Sequence, residues 1–373
     1  MRLSLIHSFL FLLFAASALS QPLGNEWIDY SEKHLKIPVW EDGVNSLNFQ
    51  DLSQAFSGIG ENLSSIPLDE LSLFHQGQEV PLFIKGDLDN VLESGEEICF
   101  LAKANDGSFD SSLYVSAEQL HNFHSMFNDT SYYFLRRKPG AKRYSSISPI
   151  NPTGSFNYIW YRQIQLYTNG YQYGARNFFG STDPEYRAGE GYFDGSTSIG
   201  SFGYLQNRQK TVFNRNLYTS PGAPDAELNS YIIPVIGSTH SVELRYGSPL
   251  QVGQKIDWLG SAPQSFSLSI PVSNLGGSQT PFRYFSLATN PPPSNNTARY
   301  AISHFDLRYP RNLNLSSFSY LKFELDFIGD TTSLSFTNAL AGTYYLISEG
   351  SEMMQSAVSS SGNLSFNLAP NTA

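Results

Sequence analysis

The feature that most constrains the fold is a two-residue rhythm of apolar and polar side chains that recurs along the chain. In Leu321-Lys322-Phe323-Glu324-Leu325-Asp326-Phe327 the alternation is strict, with four apolar residues on one face and three charges on the other. Such a segment predicts a half-buried antiparallel strand, because successive side chains of a strand point to opposite faces. Similar runs occur at 159–166, 231–236, 241–246 and 266–270. Aromatic residues reach 14%, with Gly 29 and Pro 20, which favours strands and turns over helices. Many short strands separated by turn residues indicate a β-sandwich. No fixed-period repeat suggests a propeller or solenoid.

The N-terminus carries its own signal. Arg2, the apolar run from Leu5 to Phe14, and Ala18-Leu19-Ser20 read as an export signal over residues 1–20, cut before Gln21. The apolar run is too short to span a membrane, which needs about 20 residues. The mature chain is therefore expected to lack a transmembrane span. Cys99 is the single cysteine, so no internal disulfide can form and core burial must hold the exported chain together. That suits a bacterial envelope protein better than a disulfide-stapled ectodomain.

The charge is −10, or −11 once Arg2 leaves with the signal, and charged residues are only 15% of the chain. This balance argues against nucleic acid as a partner, which calls for clustered Lys and Arg. The basic clusters Arg136-Arg137-Lys138 and Lys142-Arg143 flank Pro139-Gly140 and read as a solvated loop.

The expected organisation is all-β, with two consecutive β-rich domains and a few short helices. The first covers 21–140. In it Trp27–Tyr30 and His34–Val39 read as paired strands, and Phe49–Phe56 as a short helix. Glu41–Val44 reads as a turn, and 71–84 as a hairpin about Gln76-Gly77. Residues 141–155, with Pro149 and Pro152, read as a linker. Residues 156–373 form the second domain, a β-sandwich in which Pro291–Asn296 is an exposed loop. Its end, serine-rich from Ser348 to Ala373, reads as cut short.

No catalytic set emerges. Cys99 lies among Ile98, Phe100 and Leu101, where burial raises a thiol pKa, so it reads as a core residue and not a nucleophile. His121 and His124 would share a face only on a helical turn, and neither a third metal ligand nor an H-E-x-x-H pattern accompanies them. Asp87-Leu88-Asp89-Asn90 and Asn105–Asp110 are oxygen-rich, but the EF-hand pattern fails and Asx turns account for them. Asp183 and Glu185 are not a specific carboxylate pair. Gly189–Gly195 has no following helix and reads as a loop rather than a phosphate cradle. No catalytic, cofactor-binding or metal residue is therefore assigned, and no cofactor is expected. Exposed aromatics at Tyr167, Tyr171, Tyr173, Phe178 and Phe179 would instead suit a stand-alone surface module that binds a glycan or a protein. Core packing is the other reading of the same residues.

Several segments taken in order carry a resemblance. They are Gly24–Tyr30 with Lys36–Val44, Leu73–Pro81, Asn105–Asp110 with Leu113-Tyr114, and Leu120-His121 with Met126–Leu135. Phe178–Gly180 and Asp306–Arg311 follow them. Together they resemble the N-terminal region of the gingipain-related sortase of the Bacteroidetes type IX (Por) secretion system. The family is a Cys-His endopeptidase that removes C-terminal secretion signals from cargo. The resemblance implies that the catalytic Cys and His belong to a later α/β domain, so none of these 373 residues inherits them. It further implies that the chain docks against that gingipain-like domain and other secretion components. The location it implies is the outer membrane, cell surface or periplasm of a Gram-negative bacterium.

Overall fold

The computed structural model describes residues 27–370, apart from 87–88, 116–118, 148–149, 173–185, 187–188, 196–206, 235–237, 261, 288–299, 317, 319, 327–328 and 361. The expected export signal, Pro291–Asn296, Asp87, Asp183, Glu185, Tyr173 and Phe178–Gly180 lie outside the described residues. Contacts divide the chain into two units, Met1–Ala104 with Thr130–Tyr144, and Asn105–Asp129 with Ser145–Ala373. The fold is all-β with a few short helices, as expected.

The first unit holds β1 (Leu35–Val39), β2 (Gly43–Asn48), α1 (Phe49–Gly58), β3 (Leu71–His75), β4 (Gln78–Val80), β5 (Phe83–Lys85), β6 (Glu97–Ala102) and β7 (Ser131–Arg137). One sheet runs β1-β7-β3-β4 and another β2-β6-β5. Between them lie Leu71, Leu73, Ile98, Phe100, Tyr133 and Leu135, with Leu52 and Phe56 from α1. The helix starts where it does because Asn48 caps it, its Oδ1 accepting from Asp51 N at 2.8 Å.

The hairpin forms as expected. β3 pairs with β4 around Gln76 and Gly77, at φ +50° and +81°. That is the primed turn whose twist suits adjacent strands. A second expectation fails. β1 pairs with β7, nearly a hundred residues away, and not with Trp27–Tyr30. Trp27 uses its ring instead, stacked 6.0 Å from Phe74 and edge-on 5.5 Å from Phe134. Ring contacts, rather than a ladder, hold the Trp27 indole.

The second unit holds β8 (Ser145–Ser146), β9 (Gly154–Ser155), β10 (Ile159–Leu166), β11 (Gly170–Gln172), β12 (Gly191–Phe193), β13 (Asn207–Phe213), β14 (Ala226–Pro234) and β15 (Ser238–Tyr246). It continues through β16 (Gln251–Gly260), β17 (Gln264–Ile270), β18 (Gln279–Ser286), β19 (Tyr300–Arg311), β20 (Thr332–Thr337), β21 (Gly342–Ile347), β22 (Met353–Ser359) and β23 (Asn363–Leu368). Sheets β10-β19-β14-β17 and β13-β18-β15-β16 share one core. Phe282 meets Phe305 at 5.3 Å and Phe266 meets Tyr284 at 5.3 Å across it. A further core joins β23-β20-β9 and β21-β22-β8 around Leu334, Phe336, Leu364 and Phe366. The stretch 141–155 thus contributes β8 and β9 as parallel edge strands to those two sheets.

Within the strictly alternating segment, residues 321–326 form no ladder strand. Its alternation appears as alternating burial, with Leu321, Phe323 and Leu325 packed on that further core. Its backbone pairing among the described residues is one bridge, Trp160 to Glu324, with N–H to O distances of 3.0 and 2.9 Å. The apolar face was satisfied by packing alone.

Candidate functional site

In the second unit, Asn105–Asp129 and the β11–β12 ribbon cover the outer face of the β10-β19-β14-β17 sheet. Leu120, Phe193, Ile233 and Ala301 pack together there. Asp194 ties the ribbon to β19, donating its N–H to Ile302 O at 2.9 Å and accepting from Ile302 N at 2.8 Å. Gly189–Gly195, expected as a loop, therefore contains β12, and Gly189 and Gly191 at φ +83° and +146° let the chain turn into it.

The covering segment meets β19 in a layer of rings. His121 sits edge-on to His304 at 5.2 Å, Phe123 edge-on at 5.4 Å, and Tyr231 stacks on His304 at 5.1 Å. Arg162 lies over Phe123 and grips the buried Asp306 carboxylate with two bonds of 2.7 and 2.5 Å. Burial, then His121 and then Arg162, push the His304 pKa down to about 3. Burial and His124 push His121 down to about 4. Both imidazoles are neutral at neutral pH; His304 is buried and His121 half-buried. Ser303 Oγ, 3.3 Å from His304 Nδ1, is fully buried as well. The layer can clamp the covering segment onto the sheet.

The spacing of His121 and His124 therefore did not forecast their geometry. The segment is a series of bends, and the two rings part, His124 lying 5.9 Å from Tyr192. Among the described residues no group of three metal-capable side chains assembles. The oxygen-rich turns are Asx turns: Asn105 Oδ1 accepts from Gly107 N, Asp106 Oδ1 from Ser108 N, and Asp89 Oδ1 from Val91 N. Cys99 is buried on β6, and burial followed by Glu97 pushes its thiol up to about 11. That direction is opposite to what a thiolate nucleophile needs.

Beside the ring layer, four tyrosines surround Met126 and Glu190. Tyr114 donates to Glu190 O at 2.8 Å, Tyr171 to Glu190 Oε1 at 3.2 Å, and Tyr192 to Met126 O at 3.2 Å. Burial first, then the Glu190 charge, raise the pKa of Tyr114 and Tyr171. Asp110 fixes the Met126 loop, accepting from Ser125 Oγ and Met126 N, each at 2.9 Å. At the outer margin Tyr186 bonds through its backbone to Leu113 and Val115, and its ring lies 6.2 Å from Phe127. Leu113, Val115 and Phe127 are exposed, Phe127 at 64%. These exposed apolar side chains flank Tyr186 and are of a kind suited to a macromolecular contact.

The aromatics proposed for ligand binding behave differently. Tyr167 is part of the sandwich core, and Tyr171 spends its hydroxyl on Glu190. The sequence marked Asp306–Arg311 only through its resemblance; in the structure Arg308, the half-buried residue of an otherwise buried β19, lies 4.0 Å over Trp160 and pairs with Glu324 and Glu227.

No family model matches the chain, and no curated protein matches it. Among solved structures, dimeric latent PorU from Porphyromonas gingivalis aligns with 91% of this chain at a TM-score of 0.56 and 12% identity. The likeness is one of fold. This chain spans 30% of the length of PorU. A β-porphyranase of glycoside hydrolase family 86 from Bacteroides plebeius aligns with 74% of this chain and 34% of its own, at 9% identity. Its TM-score of 0.19 is too low to carry an argument. Among the described residues no helix is long and apolar enough to cross a membrane.

Proposed function

We propose that this chain is a non-catalytic N-terminal part of a type IX secretion sortase, exported to the envelope. It would act as the docking scaffold for a gingipain-like peptidase domain that cleaves C-terminal secretion signals from cargo. The observation that carries the reading is the shared fold with PorU across 91% of the chain. The ordered segments, above all those between residues 73 and 135, point to the same family, and Met126 lies at the centre of the tyrosine cluster. The buried Cys99 with its raised pKa supports the non-catalytic part of the proposal. The exposed Leu113, Val115 and Phe127 supply a contact surface of the right chemistry.

The test is reconstitution. The mature chain and a separately produced gingipain-like sortase domain should comigrate on size exclusion, and Phe127→Asp should weaken that complex. The chain alone should leave arginyl and lysyl peptides intact, with Cys99→Ala making no difference. Failure to associate at about 50 µM, where even a weak micromolar contact is populated, sinks the scaffold reading. Peptide cleavage abolished by Cys99→Ala sinks the non-catalytic one.

A further inference from the structure

A lysine and a buried aspartate meet in the wall of the sandwich. Lys210 on β13 reaches Asp194, just after β12, with Nζ 2.9 Å from Oδ2. The Asp194 side chain is 3% exposed and that of Lys210 26%. Asp194 Oδ1 accepts from Ile302 N on β19 at 2.8 Å, so one carboxyl oxygen is fixed by a backbone donor while the other meets the lysine. Tyr167, which follows β10, places its ring beneath the ammonium, with the centroid 4.3 Å from Nζ. Its hydroxyl is buried, and burial first, then the Asp194 charge, raise its pKa, so the phenol keeps its proton. An ion pair alone needs neither a carboxylate withdrawn from water nor a backbone donor aimed at its far oxygen.

We infer that Lys210 Nζ and Asp194 Cγ join in an isopeptide bond within the chain, releasing one water. Transfer of one proton along the 2.9 Å contact turns ammonium and carboxylate into an amine and a carboxylic acid. Burial favours that neutral pair, because it removes two charges from a low-dielectric site. The amine lone pair then attacks Cγ, one bond beyond Oδ2, from a position held by the fold. Negative charge develops on Oδ1, where the Ile302 N–H already points. Oδ2 leaves as water, carrying the proton it took from the ammonium and one from the attacking nitrogen, which the Tyr167 phenol relays. Oδ1 remains as the amide carbonyl and keeps its bond from Ile302. The step needs no co-reactant. Lys210 belongs to the sheet β13-β18-β15-β16, and Asp194 is anchored on β19 of the sheet β10-β19-β14-β17, so the bond links the two layers of the sandwich. Such a staple suits a chain whose single cysteine excludes an internal disulfide. The inference does not depend on the proposed scaffold role.

Mass spectrometry of the purified mature chain, denatured before injection, tests it. The expected mass is below the sequence mass by one water. A tryptic digest should contain one branched peptide that joins the fragment holding Asp194 to the fragment holding Lys210, with no cut after Lys210. Lys210→Arg keeps the charge and the ion pair but offers no amine to acylate, and it should restore the full mass. Its sandwich transition should also move to a lower urea concentration. Tyr167→Phe keeps the ring beneath the lysine and removes the relay, so full-mass chain sampled soon after synthesis should lose its water about tenfold more slowly or worse. The wild-type mass decides the matter even where a variant misfolds. A wild-type chain at full mass overturns the inference and leaves Lys210 and Asp194 as an ion pair. Water loss that persists in Lys210→Arg, or a branched peptide joining other residues, overturns it too. A Tyr167→Phe chain that closes as fast as the wild type overturns the relay.

Discussion

His121 and His304 touch each other and are held neutral by burial, with folded pKa values of about 4 and about 3. An unfolded histidine titrates near 6.5. The folded values are depressed, so the stability they contribute is fully present above pH 6.5. It is lost as pH falls through that value toward 4, while the unfolded chain takes up protons that the folded chain refuses. Melting temperature should therefore drop between pH 6.5 and 4.5, and the His121→Phe/His304→Phe double variant should flatten that drop. An equal drop in the double variant would show that other groups cause it. The neighbouring pair behaves differently, because Asp306 is buried whereas Arg162 is half exposed. Arg162→Met leaves a buried carboxylate without its two strongest donors and should cost about 2 kcal/mol in urea unfolding. Asp306→Asn should cost less, since the amide still offers Arg162 an acceptor and places no charge in the layer.

At the scale of elements, local chemistry was legible and distant pairing was not. The β3–β4 hairpin could be read because Gln76-Gly77 between apolar runs specifies a primed turn. The start of α1 is written in Asn48 and the spacing of Leu52 and Phe56. The Asx turns at Asn105 and Asp106 follow from residue chemistry alone. The partner of β1, by contrast, is set by a sheet whose strands lie nearly a hundred residues apart, and nothing local names it. The alternation gave the correct buried face for Leu321, Phe323 and Leu325 but could not say whether backbone or side chains would satisfy it. The ring layer was hidden for the same reason, since His121 and His304 meet only through tertiary packing. The hairpin gives a direct test of what was legible. Gly77→Ala keeps the polarity but places a Cβ at φ +81°, 3.2 Å from the Trp27 indole. It should destabilise the first unit by about 1–2 kcal/mol, the penalty for a left-handed residue that is not glycine. A melting curve unchanged by the substitution would mean that the turn does not anchor Trp27.

The whole molecule consists of two units with separate cores, and the chain leaves the first unit after Ala104 to build part of the second before returning at Thr130. No composition shift marks that excursion, because 105–129 is as polar and turn-rich as many surface loops, so a simple boundary near 140 was the natural expectation. We propose that the units are independent domains in the thermodynamic sense. The four tryptophans allow a clean test, since Trp27 and Trp40 belong to the first unit and Trp160 and Trp258 to the second. In a Trp160→Phe/Trp258→Phe background, fluorescence reports the first unit. Phe100→Ala, at a fully buried position of the first core, should then destabilise the reported transition by about 3–5 kcal/mol. Phe282→Ala, equally buried in the sandwich core, should leave it in place while lowering the transition seen in a Trp27→Phe/Trp40→Phe background by a similar amount. If both substitutions move both transitions together, the excursion couples the two units into one cooperative block. The segment 105–129 would then be a structural tie as well as a covering layer.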